Sequence, residues 1–102
     1  MPLPTLINVH TIMTTGIIFD VAKNKANIAK HGVSLALAAD LEWESALIWE
    51  DQRRDYGETR MACIGYIGLR LHYVAFVERT DGLRIISLRK ANSREVMRYA
   101  QA

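Results

Sequence analysis

The sequence predicts an α+β fold: an N-terminal helical hairpin packed on an antiparallel sheet of four to five strands, closed by a C-terminal helix. Three observations predict it. Helix-type spacing with capping residues is confined to two places, Val21 to Leu41 and Asn92 to Gln101. Between them, short apolar runs alternate with turn signals. The chain has 102 residues, half of them hydrophobic, which suffices for one compact core. Helices segregated to one face of an antiparallel sheet are the layer arrangement that such an order favours.

The elements follow in order. Met1 to Thr15 carries two prolines, four threonines and no charged residue. It lacks the ordered positive, apolar and small-residue regions of a secretory signal. It reads as a peripheral extension ahead of a single domain over residues 16–102. Either Met13 is an alternative translation start, or Leu6 to Met13 is an ordinary N-terminal strand. Ile17 to Phe19 is a short apolar run, and Asp20 is a good N-cap for a helix over Val21 to His31. Ala22, Ala26 and Ala29 share one face of that helix, and Gly32 is its natural stop. Ser34 caps a second helix, about Leu35 to Leu41. Ala46 to Trp49 is a short strand, and the charged stretch Asp51 to Glu58 is a loop. Arg60 to Ile67 and Leu71 to Glu78 are strands around the turn Gly68–Leu69–Arg70. Asp81–Gly82 is the strongest hairpin signal in the sequence and leads into a last strand over Leu83 to Leu88. Asn92 with Glu95 forms a capping box for the final helix.

Composition excludes several classes of function. No apolar run reaches the ~18 residues of a membrane-spanning helix. The single cysteine, Cys63, excludes an internal disulfide framework and any multi-cysteine zinc site; mid-strand, it reads as a small buried hydrophobe. His10, His31 and His72 form no metal-ligand spacing, and no glycine-rich phosphate loop occurs, so neither metal nor cofactor is expected. A cytoplasmic location follows from the missing signal and the lone cysteine. The net charge of +2 hides an uneven distribution. Residues 83–102 hold five basic residues against one acidic, a local +4. Arg94 and Arg98, four apart, share one helix surface.

A cofactor-free set of Arg, Lys, His and Glu suits phosphoryl chemistry on RNA. Attack by a 2′-hydroxyl on the adjacent phosphate needs a proton acceptor, a proton donor and cations that stabilise the charged transition state. The nucleophile belongs to the substrate, so no metal is required. The bland alternative for each pairing is a surface ion pair.

The order of residues resembles the BrnT toxins of bacterial type II toxin–antitoxin systems. The resemblance runs through FDVAKNKANIAKHGVS (Phe19 to Ser34), the acidic–x–Arg element Glu58–Thr59–Arg60, the pair Ile64–Gly65, and RIISLRKANSREVMRYA (Arg84 to Ala100). It implies a RelE-like ribonuclease fold and an endoribonuclease that cleaves mRNA and inhibits translation. It also implies neutralisation in a hetero-oligomer with a cognate antitoxin carrying a ribbon-helix-helix DNA-binding domain, through which alone operator DNA would be contacted. Phe19 stands where the family usually has Trp, and should still plug the core. Leu88 replaces the family's common Ala and should face away from Ser87 and Arg89.

The expected roles are these. Arg60 and Arg79 bind and polarise the scissile phosphate, His31 or Glu58 accepts the proton, and Lys30, Arg89, Arg94 and Arg98 contact the substrate. Glu95, Tyr99 and Arg84 are less defined. Trp43, Trp49 and Tyr56 flank the charged loop, either as core or as anchors for the antitoxin. The competing reading is a non-catalytic RNA-binding module, or a degenerate toxin that acts through its antitoxin complex.

Overall fold

The computed structural model describes residues 16–102. Its elements are β1 (Ile17–Ile18), α1 (Val21–His31), two 3-10 segments (Leu35–Asp40 and Trp43–Ser45), β2 (Leu47–Glu50), β3 (Met61–Ile67), β4 (Arg70–Arg79), β5 (Gly82–Lys90) and α2 (Ser93–Gln101). The peripheral extension, the strand over Leu6 to Met13 and His10 fall outside the described residues.

Helix α1 has the expected ends. The Asp20 carboxylate accepts the Lys23 N–H at 2.9 Å, and the Gly32 N–H returns to Ile28 O at 2.8 Å. Gly32 sits at φ 76°, where a side chain would be strained. The buried face is not the expected one. Ala22, Ala26 and Ala29 are exposed, Asn27 is buried, and Asn24 and His31 are half-buried. The reason is backbone satisfaction. Asn27 Nδ2 donates to Leu88 O (2.8 Å) and Val33 O (2.9 Å), and its Oδ1 accepts the Leu88 N–H (3.2 Å). Asn24 Oδ1 accepts the Leu35 N–H at 2.7 Å. The side-chain amide of Asn27 therefore pairs with the edge of β5 beyond the end of β1, as another peptide group would.

The second helix is not an α-helix, so α1 has no helical partner of its own kind in a hairpin. Ser34 caps as expected, accepting the Ala36 N–H at 3.1 Å, but the turn it starts is a six-residue 3-10 segment. Leu41 closes it by donating to Ala38 O, and Glu42 donates to Tyr66 O, which draws the chain onto β3. The close approach to β3 requires Gly65. A Cβ there would lie 3.1 Å from Ala46 Cβ and 3.3 Å from Leu41.

The five strands run in the order β1-β5-β4-β3-β2. Four of them form an antiparallel meander, as expected. The expectation of a wholly antiparallel sheet fails at one edge, where β1 pairs parallel to β5. Gly16 O accepts the Leu83 N–H there, and a Cβ on Gly82 would meet Gly16 O at 2.9 Å. Gly82 is thus required both by its φ of 147° and by the crossing of β1. It opens β5 as the partner of Arg79, so the hairpin turn is Thr80–Asp81, one residue earlier than the Asp-Gly signal suggests.

Both faces of the sheet are covered, contrary to the expected segregation of helices to one face. On one face Leu83, Ile85, Leu88, Val74 and Phe76 pack with Leu35, Ala38, Leu41 and Trp43 of the 3-10 region, with Phe19 against them. Trp43 meets Phe76 edge-on at 5.4 Å and donates to Ala38 O. On the other face Ala62, Ile64, Leu71, Tyr73 and Ala75 form a smaller cluster joined by Trp49, Tyr66 and Tyr99. Helix α2 lies over this second face and has no buried residue. Its predicted capping box is present. Tyr99 meets Tyr66 edge-on at 5.6 Å, and its hydroxyl donates to Ser45 O at 3.1 Å. Cys63 is buried, and burial pushes its thiol up to about 12. His72 is also buried, with Nδ1 2.9 Å from Arg70 O.

Candidate active site

The second face carries the charge. Alternate residues of a strand share a face, and the register places Trp49, Ala62, Ala75 and Ser87 in one row and Leu47, Ile64, Tyr73 and Arg89 in the next. Arg84 pairs with Val77, and Arg89 with Tyr73, so both arginines share this face although they are an odd number of residues apart. A bulge makes that possible. Ala75 pairs with Ser87 but Phe76 with Ile85, so one extra residue of β5 is accommodated between them. The same bulge keeps Ile85 and Leu88 together in the core on the opposite side. Leu88 accordingly faces away from Ser87 and Arg89, as predicted.

The register also sets Arg60, one residue before the Met61–Phe76 pair, in line with Val77 and Arg84. Here Glu58 bridges two strands. Its Oε1 accepts from Arg79 Nη2 at 3.0 Å and its Oε2 from Arg84 Nη2 at 2.8 Å. The Arg60 guanidinium lies over the Tyr56 ring, 3.9 Å from the centroid. Two guanidinium groups thus meet one carboxylate, and Arg60, two residues along the chain from Glu58, adds a third positive charge to this end of the sheet. The Nε atoms of Arg60 and Arg84 are buried and have no hydrogen-bond partner. An unmet buried donor of this kind costs about 1–3 kcal/mol.

Asp51 holds the loop that carries Glu58 and Arg60. Its side chain is 2% exposed and takes a bidentate pair from Arg53 at 2.8 Å on each oxygen. The Tyr56 hydroxyl donates to the same carboxylate at 3.0 Å. The hydrogen bonds from Arg53 outweigh burial, and with that from Tyr56 they hold the Asp51 carboxyl far below the usual carboxylate range. Buried Asp51 thereby positions Tyr56, and Tyr56 positions Arg60.

A second group lies toward α2. Arg89 makes a bidentate pair with Glu95 at 2.8 Å on each oxygen and stacks on Tyr73 at 4.4 Å. Burial works to raise the Glu95 carboxyl, but the Arg89 hydrogen bonds, the Asn92 N–H and the nearby positive charges bring it below its ordinary value. Burial raises the Tyr73 hydroxyl. Arg98 lies over Trp49 at 3.9 Å. A hollow of about 320 Å³ opens between these groups, lined also by Arg53, Asn92 and Arg94.

The predicted residues therefore divide. Glu58 and Arg79 meet, Arg60 stacks on Tyr56 two residues along the chain from Glu58, and Arg89, Arg94 and Arg98 surround the neighbouring hollow. Lys30 and His31 end α1, on the far side of β5 from β4. Burial, then the charges of Lys30 and Arg89, push the His31 imidazole below its ordinary value. Sequence reasoning left Arg84 undefined and did not single out Asp51 or Arg53. The signal was there for the last two, an acidic residue two before an arginine at the start of a charged loop. Nothing in the sequence marks the bulge that turns Arg84 toward Glu58.

Among the described residues no helix is long and apolar enough to cross a membrane. No curated protein matches the chain. The family model for the ribonuclease toxin BrnT of type II toxin–antitoxin systems matches residues 19–95, which span α1, the whole antiparallel meander, Glu58 with Arg60, Arg79 and Arg84, and Glu95. The chain belongs to the BrnT family of ribonuclease toxins of type II toxin–antitoxin systems.

Proposed function

We propose that this toxin is a metal-independent endoribonuclease that cleaves mRNA and so inhibits translation in the cytoplasm. The observation that carries the reading is Glu58 held between Arg79 and Arg84, with Arg60 two residues along the chain and stacked on Tyr56. An incoming phosphate competes for the same arginines. Arg60, Arg79 and Arg84 bind it and stabilise the charge that grows on its oxygens as it becomes five-coordinate. Glu58, released from its ion pairs, accepts the proton of the neighbouring 2′-hydroxyl. The 2′-oxygen bonds to phosphorus, the bond to the 5′-oxygen breaks, and that oxygen leaves as a hydroxyl after taking a proton from water, while the proton held by Glu58 returns to the solvent. The products are a 2′,3′-cyclic phosphate and a 5′-hydroxyl end. We assign the acceptor role to Glu58 rather than His31, because the Glu58 carboxylate already meets two of the arginines that would bind the phosphate.

The type II architecture of the family gives the toxin a protein antitoxin. We propose that the antitoxin sets acidic groups against the exposed arginines of this face. It would carry the ribbon-helix-helix domain, and operator DNA would be reached through it.

Cleavage of single-stranded RNA in EDTA tests the catalytic reading. The wild type should leave cyclic phosphate ends. Arg60→Ala should lower the rate by about 10²–10³-fold and Glu58→Gln by about 10²–10⁴-fold, with little change in melting temperature. If Glu58→Gln melts early and cleaves normally, Glu58 is a structural clamp and the mechanism is wrong.

A further inference from the structure

We propose that the Trp49 indole is a stacking platform for one unstacked nucleobase of the RNA, next to the phosphate site. The inference rests on the ribonuclease reading above and adds a binding site to it. The two tryptophans are used differently. Trp43 is sealed in the core at 3% exposure, whereas Trp49 is half-buried on the charged face. The Trp49 ring is covered by the Arg98 guanidinium, a flat cation 3.9 Å from its centroid. Arg98 stands on the exposed surface of α2 and can swing away, since exposed side chains change rotamer in ps–ns. The position it leaves is a flat slot that opens into the hollow of about 320 Å³.

Register ties this slot to the phosphate cluster. Trp49 pairs with Ala62, two residues along β3 from Arg60. At ~3.3 Å per residue the two positions are about 6.6 Å apart along the strand, a step one nucleotide can bridge. A base on Trp49 also returns Arg98 to the backbone, where its charge meets a flanking phosphate. Stacking on an aromatic ring suits any base, because every base has a π-face. The slot therefore selects single-stranded over paired RNA before it selects a sequence.

The test uses wild-type toxin and a short single-stranded RNA with 2′-O-methyl sugars, which cannot cleave itself. One residue at a time is made abasic. One position should weaken binding about 5- to 150-fold and abolish the quenching of tryptophan fluorescence, which reports on Trp49 because Trp43 is sealed. Trp49→Phe should retain part of the base-dependent affinity, and in Trp49→Ala the intact and abasic RNAs should bind alike. If the RNA binds and every base can be removed without effect, the stacking proposal is overturned, the ribonuclease reading stands, and the Trp49 face is left to the protein partner. If no oligonucleotide binds, both are overturned.

Discussion

On one face of the sheet, β5 sets Leu83, Ile85 and Leu88 into the core at 1% exposure or less. On the other, the same strand sets out Arg84 and Arg89, each in an ion pair and each partly exposed. The first face is closed by contact between apolar groups, which has no preferred direction. The second adds to a smaller apolar cluster a set of ion pairs whose geometry is specific, and two of its buried donors remain unmet. The difference teaches where stability and activity reside. Side chains of the first face can be lost only at the expense of the fold. The arginines of the second are partly exposed, so their ion pairs are screened by water and add less to the fold than the buried core does.

Three substitutions break or sharpen this contrast, in decreasing order of effect. Leu88→Ala empties a fully buried site and should cost about 2–5 kcal/mol in urea unfolding, as buried leucines generally do. The family's usual alanine at this position makes the result informative. A cost below 1 kcal/mol would mean that α1 and the 3-10 segment settle into the gap. Asn27→Leu keeps the number and branching of heavy atoms but strips partners from Leu88 N–H, Leu88 O and Val33 O, and should cost about 1–3 kcal/mol. Amide exchange at Leu88 should rise with it, and an unchanged exchange rate would show that the side-chain pairing does not guard the β5 edge.

The third is a matter of pH. The Asp51 carboxyl lies lower in the folded chain than in the unfolded one, chiefly through its hydrogen bonds from Arg53, with burial opposing. A lowered carboxyl adds stability that is complete above the unfolded value of ~3.9 and fades as the pH falls below it. Wild type should therefore lose more stability between pH 6 and pH 3 than Asp51→Asn does, where the pH values are set about the carboxylate range. Equal losses would remove Asp51 as the anchor of the loop. The effect is the smallest of the three because Arg53 is 74% exposed and water screens the pair.

Much of this architecture was legible. The caps at Asp20, Ser34 and Asn92, the stops at Gly32 and the turn at Gly68 rest on local backbone chemistry, and each stands where the residues indicate. The grouping of Glu58 with Arg60 and Arg79 was legible through the strand pattern, since a loop and two strand ends converge at one end of a meander. The face of α1 was not. Periodicity favoured its alanines, whereas the unpaired backbone of Leu88 and Leu35 required its asparagines, and that need exists only once the helix meets β5 and the turn after it. The 3-10 form of Leu35–Asp40 was hidden for a like reason, because Glu42 is drawn off to Tyr66.

By itself, then, the sequence determined the helix ends, the antiparallel meander, the concentration of arginine near the C-terminus and the kinship with a ribonuclease family. These depend on neighbours a few residues apart, or on the order of residues alone. Tertiary structure decided the parallel pairing of β1, the coverage of both faces, the meeting of Glu58 with Arg79 and Arg84, and the bulge that brings Arg84 and Arg89 to one side. Each depends on which backbone groups remain unpaired when distant strands meet, and a one-residue change of register moves a side chain from one face of a sheet to the other.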